Sequence, residues 1–145
     1  MTARAVLDTQ IVLDWLLFDD PAIQPLATQI REGALEWVAE PGGLDELRHV
    51  LGRDALARYQ PDVAAIDAAI AARCRVVDTP RLPPHGLVCR DRDDQRFIDL
   101  ALAIGATYLF SRDRAVLALA RRARPMGLTI VSPARWVAPA VALPG

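Results

Sequence analysis

Ala5-Val6-Leu7-Asp8-Thr9 and, far along the chain, Leu109-Phe110-Ser111-Arg112-Asp113 are the stretches whose reading decides the fold. Each is an apolar run too short for a helix, and each gives way to an acid just before helical periodicity resumes. That is the signature of a strand buried on both faces. If the two strands lie parallel in one sheet, Asp8 and Asp113 emerge on the same edge.

Outward from Asp8, the apolar residues Ile11, Leu13, Trp15, Leu16 and Leu17 predict a buried helix over 10–18, with Asp8 or Thr9 as its N-cap. Asp19-Asp20-Pro21 breaks it. Ile23, Leu26, Ala27 and Ile30 carry a second helix over 22–31, ended by Gly33. A strand is expected at 35–39, a turn at Pro41-Gly42-Gly43, and a helix over 44–51. An alanine-rich helix at 62–74 precedes a brief edge strand at Val76-Val77 and a proline-rich loop from Thr79 to Asp93. Phe97, Ile98, Ala101 and Leu102 mark an amphipathic helix at 94–104. A strand at 107–110, a helix from the Asp113 cap through Arg122, a strand at 128–131 and a last helical turn at 133–137 complete the chain. Strands alternating with helices predict one α/β domain over 1–145, a three-layer α/β/α sandwich around a mostly parallel sheet. In such sheets ligands bind at the carboxyl ends of the strands.

Composition narrows the chemistry. Hydrophobic residues make up 52% and charged residues 24%, the balance of a globular protein rather than a disordered one. No apolar run is long enough to span a bilayer, and Met1-Thr2-Ala3-Arg4 runs straight into a strand without a signal-peptide pattern, so a cytoplasmic protein is expected. Cys74 and Cys89 lack the spacing of a zinc site and read as free thiols. The net charge of −1 provides no general basic field for coating nucleic acid. All 17 basic residues are arginine. The absence of lysine excludes Walker A phosphate binding, Schiff-base chemistry and the receiver and haloacid-dehalogenase types of phosphoryl transfer, the last of which would also want an aspartate where Gln10 stands. No glycine-rich loop follows the first strand, which excludes a Rossmann-type nucleotide binder.

The acids remain. Asp8 and Asp113 follow strands, Asp94 opens the helix before the second of them, and Glu46 lies in the first turns of its own helix. Singly, each has a plain structural job: helix cap, solvated helix start in the run Asp91-Arg92-Asp93-Asp94, or surface glutamate. Together at one edge they would repel one another, a cluster normally tolerated only around a divalent cation. Oxygen ligands without imidazole or thiolate suit Mg2+ or Mn2+. Such a cation activates water and polarises a phosphodiester. Arg90, Arg92, Arg112 and Arg114 are candidate holders of a nucleic-acid backbone, or plain helix-end charges. Trp15, Trp37 and Trp136 read as core or subunit-interface aromatics, His49 as a solvated helix residue, and His85 has no assignable role.

Val6-Leu7-Asp8-Thr9-Gln10, Asp45-Glu46-Leu47, Arg90-Asp91-Arg92-Asp93-Asp94-Gln95-Arg96-Phe97, Leu100 to Ala106, Tyr108 to Asp113 and Ile130-Val131-Ser132-Pro133, in this order and spacing, resemble the PIN-domain family. The likeness is to its small single-domain members, the toxin components of bacterial toxin–antitoxin pairs. The resemblance implies an endoribonuclease dependent on Mg2+ or Mn2+. Asp8, Glu46, Asp94 and Asp113 match the family's acids, with Asp8, Asp94 and Asp113 on the metal and Glu46 acting through water. Thr9, Gln10, Ser111 and Arg112 would support the site or meet substrate. A small antitoxin and a homodimer are the partners it implies. One position departs from the family pattern: Gln10 stands where asparagine is usual. The alternative reading is therefore a weak or inactive PIN-like domain that binds RNA or protein.

Overall fold

In the computed structural model, which describes residues 2–78 and 82–138, the chain builds one five-stranded sheet in the order β3-β2-β1-β4-β5, with every pairing parallel. The strands are β1 (Ala3–Leu7), β2 (Leu35–Ala39), β3 (Cys74–Val76), β4 (Tyr108–Phe110) and β5 (Thr129–Val131). The helices are α1 (Thr9–Leu16), α2 (Gln24–Arg31), α3 (Pro41–Leu51), α4 (Val63–Arg73), α5 (Gln95–Ala103), α6 (Arg114–Leu117) and α7 (Ala120–Ala123).

Side-chain alternation along the strands sends Ala5, Leu7, Trp37 and Phe110 to one face, where they pack with Ile11, Leu26, Ile30, Leu47, Ile66 and Ile70 of α1 to α4. Val6, Leu109 and Ile130 go to the other, against Phe97, Ile98, Leu100 and Ala101 of α5 and Val116 and Ala123 of α6 and α7. Helices therefore cover both faces, which is why the central strands read as continuous apolar runs. Trp15 lies 5.4 Å from Trp37, and Trp136 stacks edge-on against Phe110, so the tryptophans are core packing. Among the described residues no helix is long and apolar enough to cross a membrane.

Several elements differ from the sequence expectation. The turn at Pro41-Gly42-Gly43 is instead the first turn of α3. Proline at N1 loses no hydrogen bond there, and its fixed φ suits a helix start. The glycines permit close packing on α5: a Cβ on Gly42 would stand 3.3 Å from Arg96 Nη1, and one on Gly43 3.5 Å from the Phe97 ring. The helix expected from the Asp113 cap through Arg122 is two short ones, broken where Leu119 takes φ −90°, ψ −2°. The last helical turn is a single one, closed on the Ser132 carbonyl by the Arg135 and Trp136 N–H groups. The edge strand ends at Val76, and a 3-10 helix at Asp54–Tyr59 was not anticipated. Of the expected 79–93 loop, residues 79–81 lie outside the described residues, and Arg92–Asp94 forms a 3-10 turn.

Chain order sets the working edge. After β1 the chain moves outward through β2 and β3, then returns to the opposite side of β1 for β4 and β5. The direction of winding reverses between β1 and β4, and a crevice opens at the carboxyl ends of such a pair. Leu7 is in register with Phe110, so Asp8 and Ser111 leave the sheet side by side.

Candidate metal centre

Asp8 follows β1 and caps α1: its Oδ1 accepts the Ile11 N–H at 3.0 Å. The carboxylate is buried, and burial pushes its pKa up to about 6 in spite of hydrogen bonds from the Ser111 hydroxyl and Ile11, with Asp113 and Asp14 adding repulsion. Ser111, itself buried, also accepts the Asp113 N–H at 3.0 Å, so one hydroxyl ties the acids after β1 and β4 together. Asp113 caps α6 through the Ala115 N–H at 2.7 Å.

Asp94 stands at the N-cap of α5 but makes no capping hydrogen bond. Its pKa is raised to about 7, first by burial and then by the charges of Asp8, Asp91, Asp113 and Glu46. Asp91, Asp94 and Asp113 each bring an oxygen within 4.8 Å of the others. Glu46, from α3, faces the same space, its Oε2 held by the Thr9 hydroxyl at 3.1 Å.

The structure thus gathers Asp8, Glu46, Asp94 and Asp113 at one edge and adds Asp91. Sequence reasoning passed over Asp91 as part of a solvated helix start. Its spacing was the missed signal: a 3-10 turn has three residues per turn, so residues i and i+3 share a side. The cap roles of Asp8 and Asp113 are real as well, and they aim the side chains rather than compete with the cluster. The donor set fits a hard divalent cation, being three oxygens with no imidazole or thiolate in the trio. Cys89, buried nearby, has its thiol pushed up by burial, so it stays protonated.

The flanking residues divide. Gln10 is engaged with Asp14: its Nε2 donates to Asp14 Oδ1 at 2.9 Å. Arg112 is engaged with the same acid, donating from Nη1 to Asp14 Oδ2 at 2.8 Å and to Asp20 Oδ2 at 3.3 Å. Asp14 was missed by sequence reasoning, although an acid inside the apolar run Ile11–Leu17 was a signal, because a buried charge must find a partner. Arg90 and Arg92 are exposed beside Asp91, and His49 is exposed on α3. His85 gains a role: with Nδ1 accepting from Leu87 N–H at 3.0 Å and Nε2 2.8 Å from Asp99 Oδ1, it anchors the loop before α5. Gln95 fixes the same loop through Cys89 N–H and the Leu87 carbonyl.

A family model described as PIN domain matches residues 4–115, most of the chain and all of the site. Among solved structures, the fold is similar to that of a chain in the crystal structure of VapBC2 from Rickettsia felis bound to a DNA fragment from their promoter. The TM-score is 0.57 at 12% identity, covering 88% of this chain and 96% of that one. At that identity the likeness is one of fold. No curated protein gives a significant match.

Proposed function

This chain belongs to the PIN-domain family, and from that membership we propose that it is a divalent-metal-dependent endoribonuclease, the toxin of a toxin–antitoxin pair. One observation carries the reading: Asp91, Asp94 and Asp113 converge within 4.8 Å at the strand ends, with Asp8 and Glu46 charging the same space. Asp8, Asp94 and Asp113, joined by Asp91, would hold Mg2+ or Mn2+. When bound, the cation neutralises these acids, polarises the phosphodiester and lowers the pKa of water.

The protein's own groups do the rest. Ser111 holds Asp8 and Asp113 in one frame. Thr9 fixes Glu46, whose carboxylate faces the cleft and would orient the water that attacks phosphorus. Arg90 and Arg92, exposed beside the trio, would take the RNA backbone by charge-assisted hydrogen bonds. A small antitoxin and a homodimer are the partners that accompany this reading, in the cytoplasm.

Incubating a mixed RNA pool with Mn2+ or with EDTA, for wild type and Asp8→Asn, tests it. Wild type should cleave only with Mn2+, and Asp8→Asn should not cleave. Equal cleavage by both proteins, or cleavage that survives EDTA, overturns the proposal. Cleavage by neither favours a PIN-like domain that binds RNA or protein without cutting, a reading supported by the Gln10 amide being engaged by Asp14.

A further inference from the structure

The acid cluster is not the only charged group on the α1 side of the site. Asp14 lies six residues after Asp8 on α1 and is 3% exposed. A buried carboxylate is costly unless every oxygen is satisfied. Both of its oxygens are: Gln10, one turn back on the same helix, donates to Oδ1, and Arg112 donates to Oδ2 from 98 residues away. Arg112 is the central residue of the three-residue loop between β4 and α6, directly between Ser111 and Asp113. The residue that bonds Asp8 and the residue that joins the acid trio are therefore its chain neighbours.

We propose that Asp14 is a positioning residue: through Arg112 it straps the β4–α6 loop to α1, fixing Asp113 and Ser111 against Asp8, so that Arg112 is a strut of the metal site and not a grip on RNA. The inference rests on the nuclease reading above. Charge supports it. Arg112 lies between two carboxylates, Asp14 and Asp20, so the group as a whole is negative and offers little to a phosphate. Geometry supports it too. Gln10 holds Asp14 Oδ1 while Arg112 takes Oδ2, and the Asp20 N–H bonds the Asp14 carbonyl at 2.8 Å, closing the end of α1 around the same guanidinium.

The test compares wild type with Asp14→Asn, Arg112→Ala and Arg112→Lys. Three quantities are read: Mn2+ affinity from the electron paramagnetic resonance of free Mn2+, kinetics of RNA cleavage, and melting of the metal-free protein. Asp14→Asn and Arg112→Ala should each weaken Mn2+ binding about 10- to 100-fold, the usual cost of losing an outer-shell partner. The KM for RNA at saturating Mn2+ should stay within about twofold of wild type, because no substrate contact is removed. The Arg112→Ala result is the sharp one. By charge alone, removing a cation beside the acids would tighten Mn2+ binding, so weakening reports lost position. Arg112→Lys should recover most of the affinity, because a single nitrogen, Nη1, makes both contacts and an ammonium can replace it.

Raised KM with unchanged Mn2+ affinity in Arg112→Ala would make it an RNA grip and overturn the proposal. Lowered melting with unchanged Mn2+ affinity would make the strap mere scaffold and overturn it equally. Wild type that binds Mn2+ while the variants match it sinks only the strut; wild type that binds no Mn2+ sinks the nuclease reading and the strut with it.

Discussion

The two ends of the sheet treat acidic charge in opposite ways. Toward the amino end, Glu36 of β2 lies between two arginines, Arg4 of β1 at 3.5 Å and Arg75 of β3 at 3.6 Å, and Arg4 is its direct cross-strand partner. At the carboxyl end, burial and then the charges of Asp8, Asp91, Asp113 and Glu46 push the Asp94 pKa up to about 7. Acid beside base is architecture, because the pair needs nothing from outside. Acid beside acid is a standing cost to the fold, and it makes sense where something brought from solution removes it. Asp14 lies on the boundary, adjacent to the cluster yet compensated by Arg112.

Replacing the most repelled acid should separate the two ends most widely. Asp94→Asn should lower Mn2+-dependent RNA cleavage by more than the roughly 100-fold that loss of an outer-shell partner costs. The same variant should melt higher than wild type without metal at about pH 8, since it removes a charge that the fold disfavours. Activity and stability moving in opposite directions is the mark of a site; both falling together would make Asp94 an ordinary structural acid.

A second expectation follows from the direction of the shifts. Asp8 at about 6 and Asp94 at about 7 both exceed the ordinary 3.8. The folded protein therefore binds protons more tightly than the unfolded chain. Their contribution to stability is fully present below about pH 4 and is lost as pH rises through the folded values, so metal-free melting temperature should fall between about pH 5 and pH 8. A fixed concentration of Mn2+ should stabilise most at high pH, where the acids are ionised and Kd is lowest, by about 2.7 kcal/mol where that concentration is about 100 times Kd. A metal-free melting temperature that rises over the same interval would show that the carboxyl end is compensated after all.

How much of this was legible in the sequence depends on how local each feature is. The strands that carry Asp8 and Asp113 could be read directly, because two-sided burial leaves an unbroken apolar run with an acid behind it. Asp94 could be placed from the helix start. Glu46 rested on its place in the first turns of its helix and on the family pattern, since nothing else in that helix separates it from a surface glutamate. Asp91 was hidden by a 3-10 turn whose three-residue repeat is invisible to a helical reading. The first turn of α3 looked like a loop because Pro41-Gly42-Gly43 is turn composition; its glycines instead lie against Arg96 and Phe97 of α5, far off in sequence. The Arg112 strap joins residues 98 apart, and no periodicity encodes such a pairing.

The smallest expected effect is at the compensated end. Glu36 is a third exposed, and its Oε1 has ion-pair distances to both arginines without a well-formed hydrogen bond to either. Ion pairs of that kind contribute at most about 1 kcal/mol each, because solvent screens them. Glu36→Gln should therefore cost no more than about 1 kcal/mol in thermal or urea unfolding and leave RNA cleavage and Mn2+ affinity at wild-type values. It leaves two arginines facing each other across a neutral amide, so the loss should deepen at low salt, where their repulsion is least screened. A change in Mn2+ affinity would mean that charge at one end of the sheet is felt at the other, and the division between architecture and site would fail.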